Sequence, residues 1–182
     1  MSILSVYHQS TPDTPNKVLT HADDIATTLA EQCVRFEQRE VTQSIRPGTV
    51  EAEVTASLGE QIQAMRSEFC ATVLEVLSVN PEHPQKEELR AGLIDERTHA
   101  SDDVRFFVSG RGLVNIRIGE YVYGLIGERG DLLIVPAGVA QWFDIGEQPN
   151  LVLVRFLSKE GERARLTGDK GSLDYPGLDD TF

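Results

Sequence analysis

Cysteine is scarce in this chain: Cys33 and Cys70 stand alone, with no CxxC spacing around either. That leaves no thiolate metal cluster and no CxxC redox motif to consider. Met1–Ser10 has no basic start and no apolar run of signal-peptide length, so no secretory leader is expected and the thiols are predicted to be reduced in the cytoplasm. They are expected to pack as small buried hydrophobes. No stretch approaches the roughly 20 apolar residues that a membrane-spanning helix requires. Basic residues are the minority, 17 against 29 acidic, and the net charge of −12 would repel both nucleic acid and an anionic membrane, so neither is expected as a partner. Internal repeats and low-complexity segments are also absent.

What is present is an ordinary globular composition, 40% hydrophobic and 25% charged over 182 residues, enough for one domain with a full core. Its pattern divides into a strand and helices over residues 1–92, a strand-rich stretch over 93–158 and a polar tail over 159–182 that is expected to wrap the surface. Ser2–Tyr7 alternates as a short strand. Ile25, Leu29, Cys33 and Phe36 recur at helical spacing and predict a helix over Ala22–Gln38. Val54, Leu58, Ile62, Met65 and Phe69 predict a second over Val50–Phe69, with Pro47-Gly48 between the two. Thr72–Val79 is β-rich, and a short charged helix follows near Gln85–Gly92. The period then changes to two, over Val104–Val108, Leu113–Ile118, Tyr121–Ile126, Leu132–Val135, Trp142–Asp144 and Leu151–Phe156. Gly110-Arg-Gly112, Gly119-Glu, Gly130-Asp, Pro136-Ala-Gly and Gly146 punctuate these runs. Short strands with glycine-rich punctuation predict an antiparallel barrel or sandwich.

Two segments concentrate the chemistry. Glu96-Arg-Thr-His99-Ala-Ser-Asp-Asp103-Val-Arg105-Phe-Phe sets an imidazole and a carboxylate four residues apart, ligand types that suit divalent iron or nickel. Two residues before His99 stands Arg97, whose guanidinium has five donors and no lone pair to give. The second segment, Gly130-Asp-Leu-Leu-Ile-Val-Pro-Ala-Gly138-Val-Ala-Gln141-Trp142-Phe143-Asp, is a turn, an apolar strand and a second turn. Its Gln141 offers at most an amide oxygen. Asp103 and Arg105 lie two apart, hence on one side of an extended strand, while Asp102 faces the other. A buried carboxylate at 103 without a metal needs a counter-charge. Arg97 is the first choice for it, with a fork left free to grip a carboxylate or enediolate. The alternatives are that Arg97 swings to solvent or forms a purely structural ion pair. His99 is a candidate general acid or base whose pKa the neighbouring carboxylate would raise. Glu96 is a further acid–base candidate, and Trp142 and Phe143 are core or pocket wall.

These segments resemble the acireductone dioxygenase family of the cupin superfamily over nearly the whole chain. Cys33-Val-Arg-Phe-Glu, Asn80-Pro-Glu-His-Pro-Gln-Lys-Glu-Glu-Leu-Arg90, Asp103-Val-Arg-Phe-Phe-Val-Ser-Gly-Arg-Gly112 and Trp142-Phe-Asp-Ile-Gly stand in the same order. The resemblance implies a mainly β fold: a single cupin barrel (double-stranded β-helix or jelly roll) with α-helices packed outside. It also implies a methionine-salvage dioxygenase that holds a dianionic enediol on Fe(II) or Ni(II). In the family the metal is held by His-Thr-His, a Glu four residues after the second His, and a His in Pro-Ala-Gly-x-x-His-Trp-Phe-Asp. The matching positions here hold Arg97, His99, Asp103 and Gln141. Arg105 matches the arginine that stabilises the substrate dianion. The expectation is a diverged enzyme with impaired or absent metal binding that takes a small anionic enediol or keto metabolite. Arg97, Arg105, Trp142 and Phe143 would bind it, and His99, Asp103, Arg105 and Glu96 would act on it. Any metal would fall to His99, Asp103 and Gln141. Two alternatives stay open: a genuine acireductone dioxygenase using Fe(II) or Ni(II) through a reduced ligand set, and a non-catalytic binding or assembly module.

Overall fold

The structure, a computed structural model, describes residues 1–158 and 164–181. In chain order the elements are β1 (Ile3–His8), β2 (Lys17–Leu19), α1 (Ala22–Ala30), β3 (Arg35–Gln38), α2 (Glu51–Ser57), α3 (Gly59–Glu68), β4 (Val73–Val79) and α4 (Lys86–Ile94). Then follow β5 (Arg97–Thr98), β6 (Asp103–Ile118), β7 (Tyr121–Glu128), β8 (Asp131–Val135), β9 (Ala140–Asp144), β10 (Leu151–Leu157) and β11 (Arg165–Leu166), with two short 3-10 turns at Gly171–Asp174 and Leu178–Asp180.

The fold is mainly β, and β6 is its spine. The first half of β6 pairs with β8 and β10, the second half with β7 and β9, all antiparallel. One sheet therefore runs β4-β10-β6-β8-β3, and the other runs β2-β1-β7-β6-β9-β5-β11. Phe107, Val114, Leu125, Leu133, Phe143 and Leu153 join one buried cluster shared by strands of both sheets. On the other face of the first sheet, Val104, Phe106, Val108 and Val154 pack with Val54, Leu58, Ile62 and Met65 of the α2–α3 segment. The strict alternation of β6 thus separates Val104, Phe106 and Val108, under the helices, from Asp103, Arg105 and Phe107 on the opposite side.

Asp144 fastens the outer layer to this frame. Its carboxylate accepts hydrogen bonds from Arg90 Nε (2.8 Å) and Nη2 (3.2 Å) in α4, and from the backbone N–H groups of Gly146 and Leu178 (2.9 Å each). Burial alone would raise this carboxyl, but the Arg90 guanidinium and the two N–H groups outweigh it and hold the pKa below the ordinary carboxylate value.

Several sequence expectations are corrected. The first helix stops at Ala30 and does not reach Gln38. Cys33 takes a left-handed conformation (φ 61°), and Val34 N–H closes back on Leu29 O, a helix-ending turn. Val34 and Phe36 are buried by strand alternation, with Phe36 opposite Leu133 in β8, so the helical spacing of Phe36 was coincidental. The second helix is broken at Leu58-Gly59, although Val54, Leu58, Ile62 and Met65 keep one buried stripe across the break. Cys33 and Cys70 are exposed, not buried. Of the tail, residues 159–163 and 182 lie outside the described residues; among the others, Tyr175 and Leu178 are buried.

The runs Val104–Val108 and Leu113–Ile118 are one sixteen-residue strand, not two. Gly110 (φ +70°) is the place where β6 passes from one sheet to the other, next to a register shift against β10. A Cβ there would stand 1.8 Å from Asn150 O. Gly110→Ala is therefore expected to destabilise by about 3 kcal/mol, left-handed strain and backbone overpacking combined. Urea denaturation measures this, and a loss under about 1 kcal/mol would show that the crossing relaxes freely.

Candidate functional site

Strands β5, β6, β9 and β10 bring the charged segment to one cavity of about 290 Å3, lined by Glu75, Leu93, Arg97, His99, Arg105, Trp142, Phe143, Arg155, Leu157 and Ala164. A wider and more apolar cavity of about 460 Å3 shares Glu75, Leu93, Arg105, Phe143 and Arg155 with it and adds Leu74, Leu77, Leu89 and Leu153. The small cavity thus sets charged groups against aromatic and aliphatic walls, and the wider one adds leucines together with Glu51 and Glu88.

Its centre is Asp103, 1% exposed. Arg155 Nε and Nη2 donate to Asp103 Oδ1 at 3.1 and 3.0 Å, and Arg155 Nη1 donates to Glu75 Oε2 at 2.9 Å. Arg105 Nη2 stands 3.0 Å from Asp103 Oδ2, an ion contact that is not aligned as a hydrogen bond. Arg105 Nη1 donates to Gln141 Oε1 at 2.6 Å, and its guanidinium lies 5.3 Å from the Phe143 ring centroid. His99 Nε2 is 3.5 Å from Asp103 Oδ2. Arg105 and Arg155 are direct cross-strand partners. Like charges so placed repel, and Asp103 lying between them is what makes the arrangement tolerable.

Burial and charge set the protonation states. Burial would raise the Asp103 carboxyl, but Arg105 and Arg155 overcome it and hold the group below the ordinary carboxylate value. Burial pulls Arg105 down to about 10, so it stays a cation at neutral pH. His99 also moves down: burial, with Arg155, Arg105 and Arg97 adding to it, exceeds the opposing pull of Asp103. The expected rise from the carboxylate is thereby reversed, and His99 is a neutral imidazole at pH 7.

Arg97 lines the cavity but does not pair with Asp103. Its Nε donates to Asp95 O at 3.0 Å and its Nη2 to Gly92 O, so it caps the end of α4. The counter-charge assigned to it comes from Arg105 and Arg155. Glu96 is also displaced from the expected role. It is buried away from the cavity, where Oε2 accepts from Arg117 Nε (2.7 Å) and Oε1 from Thr167 Oγ1 (2.8 Å), tying the tail to β6. Trp142 packs with Tyr7, Val122 and Tyr175 besides lining the cavity, and Phe143 belongs to the central cluster. Asp102 is exposed and accepts from Ala137 N–H at 3.0 Å. The residue missed in the sequence is Arg155. Its signal was available: a lone arginine inside the apolar run Leu151-Val-Leu-Val-Arg-Phe-Leu157.

The family model for the ARD/ARD′ family matches residues 4–164. A protein of Pseudomonas fluorescens named acireductone dioxygenase is 52% identical over 181 residues, 99% of this chain and 100% of its own length. A Pseudomonas aeruginosa protein of the same name is 48% identical over the same shares. The chain belongs to the acireductone dioxygenase family. An acireductone dioxygenase structure from Bacillus anthracis, which carries a cadmium ion in its active centre, superposes with a TM-score of 0.73 at 20% identity, covering 89% of this chain and 95% of that one. The cupin barrel that the resemblance implied is thus the fold of this member of the acireductone dioxygenase family. Among its described residues, no three His, Cys, Asp or Glu side chains come together as a group that could hold a metal ion.

Proposed function

We propose that this chain is a diverged member of the acireductone dioxygenase family that binds and acts on a small anionic enediol or keto metabolite, with divalent-metal binding weakened or lost. One observation carries the reading. Among the described residues, the buried side-chain atoms without an aligned hydrogen-bond partner are His99 Nε2, Asp103 Oδ2, Arg105 Nε and Arg117 Nη2. Three of them belong to one cluster, and His99 and Arg105 line the cavity. Buried polar atoms are nearly always satisfied, so such a concentration marks a binding place. A ligand that suits it has an oxyanion or carbonyl for Arg105 Nε–H and a hydroxyl to donate to Asp103. Arg105, whose Nε–H is buried without a hydrogen-bond partner and lines the cavity, is the group that would receive the anion.

The residues present do not suit a divalent ion. The donors are one imidazole, a carboxylate already shared by two guanidinium groups, and an amide oxygen engaged by Arg105. What these side chains supply is charge and proton handling. Arg105 and Arg155 hold the oxyanion, neutral His99 takes a proton from a bound hydroxyl or an acidic carbon, and Phe143, Leu93 and Leu153 keep water back. The free thiols of Cys33 and Cys70 suit a reducing cytoplasm. The second reading is the family's own oxygenation on Fe(II) or Ni(II), favoured by full-length identity to proteins of that name; metal content after purification separates the two.

Thermal shift with dihydroxyfumarate, an enediol dianion, and hydroxypyruvate tests the binding. Both are expected to stabilise the protein while neutral dihydroxyacetone does not, and Arg105→Met is expected to weaken binding about 10–100-fold through loss of charge-assisted hydrogen bonds. Equal shifts in Arg105→Met and the unaltered protein would sink the proposal.

A further inference from the structure

Strand β9 meets the guanidinium of Arg105 at two points. Gln141 and Phe143 stand two apart in β9, hence on one side of it. Arg105 Nη1 donates to Gln141 Oε1 at 2.6 Å, and the Phe143 ring centroid lies 5.3 Å from the guanidinium carbon. An arginine side chain has donors only, so the amide must turn its oxygen to this partner. Gln141 is 1% exposed and Arg105 4%, so little water shares the contact. Among the described residues, this is the one aligned hydrogen bond of the Arg105 side chain. Nη2 leans on Asp103 Oδ2 at 3.0 Å without alignment, and Nε has no partner.

We infer that Gln141 is the positioning residue of this cavity. It holds the Arg105 guanidinium by Nη1, over the Phe143 ring, so that Nε–H is set toward the ligand before the ligand arrives. Arginine is long and rich in rotamers, and fixing it in advance removes that ordering cost from binding. Asp103 does not do this alone, because its Oδ1 is taken by Arg155 and its Oδ2 lacks an aligned bond to Arg105. With Gln141 holding the arginine, Asp103 Oδ2 stays open to a ligand hydroxyl. Gln141 lies outside the lining of both cavities and so acts through Arg105. The inference rests on the pocket reading for the ligand, and on the hydrogen bond alone for the orientation of Arg105.

Two readouts on the full chain test this. One is dihydroxyfumarate affinity from thermal shift, and the other is the Nε–H magnetic resonance of Arg105, assigned by its loss in Arg105→Met. The unaltered protein is expected to give a sharp Nε–H signal without ligand. Gln141→Met keeps the length and removes the acceptor; it is expected to broaden or move that signal and to weaken dihydroxyfumarate about 5–10-fold. In an Arg105→Met background the same change is expected to cost no further affinity, whereas a general structural loss would appear in both backgrounds. Gln141→Glu keeps an acceptor oxygen at the same reach and is expected to preserve the signal, which also serves if Gln141→Met does not fold. An Nε–H signal unaltered in Gln141→Met or lost in Gln141→Glu, or equal affinity losses in both backgrounds, would each overturn the role of Gln141. Dihydroxyfumarate binding that Gln141→Met leaves intact overturns this inference alone. No dihydroxyfumarate shift in the unaltered protein, beside a signal that Gln141→Met disturbs, overturns the pocket reading alone.

Discussion

Asp103→Ala is expected to destabilise the protein by about 3–5 kcal/mol, the range for removing one partner of a buried ionic group. Asp103 is 1% and Arg105 4% exposed, and Arg105 and Arg155 are direct cross-strand partners with that carboxylate between them. Without it, two guanidinium groups face each other at low dielectric. Urea denaturation measures the loss, and a compensated variant shows its origin. Asp103→Leu combined with Arg105→Met removes both buried charges and is expected to recover most of the stability, because Arg155 keeps Glu75. A single Asp103→Ala variant within about 1 kcal/mol of the parent would mean that the arginines relax to solvent freely. The same network gives the pH dependence a sign. The Asp103 carboxyl is held below its ordinary value by Arg105 and Arg155 against burial. Its contribution is therefore fully present above the unfolded value, about 3.9, and is lost as pH falls through the lowered folded value. Asp103→Asn is expected to flatten the acid limb of the stability curve.

The strands were legible in the sequence as short apolar, β-branched and aromatic runs between glycine-rich turns, and the first half of β6 is such a run because both of its faces are buried. The first helix was misread beyond Ala30 because Cys33 and Phe36 satisfy helical spacing as well as they do a turn followed by a strand. A left-handed cysteine leaves no composition signal where glycine would have. The site was legible as a set of residues, His99, Asp103, Arg105 and Gln141, and not as a set of bonds. Arg97 and Arg105 are both near Asp103 in sequence, and spacing alone cannot say which guanidinium turns inward. The short β5 strand sends Arg97 to the carbonyls at the end of α4, while the alternation of β6 puts Arg105 beside Asp103. Arg155 comes from a strand 52 residues away from Asp103, a proximity that exists only after β6 and β10 pair.

Restoring the family's ligand set gives the second large effect. Arg97→His, Asp103→Glu and Gln141→His together are expected to convert the chain into one that holds Fe(II) or Ni(II) stoichiometrically. Four-ligand metal sites bind with about 10–16 kcal/mol, so roughly 3 kcal/mol per ligand. Two imidazoles regained amount to about 6 kcal/mol, or about 10^4-fold in affinity. The fold presents these positions well, since Arg97 and Gln141 are direct partners in β5 and β9 and His99 and Asp103 flank the same cavity floor. Two consequences follow for the metal-free variant. It loses the Arg97 cap on Gly92 O and Asp95 O, at about 1 kcal/mol, and Arg105 loses its Gln141 acceptor. It is therefore expected to melt below the parent with EDTA and above it with excess Ni(II), because an ion at 1,000 times its dissociation constant adds about 4.1 kcal/mol. Metal analysis and paired melting curves decide the matter. A triple variant that holds no more metal than the parent would show that changes beyond these three positions closed the site.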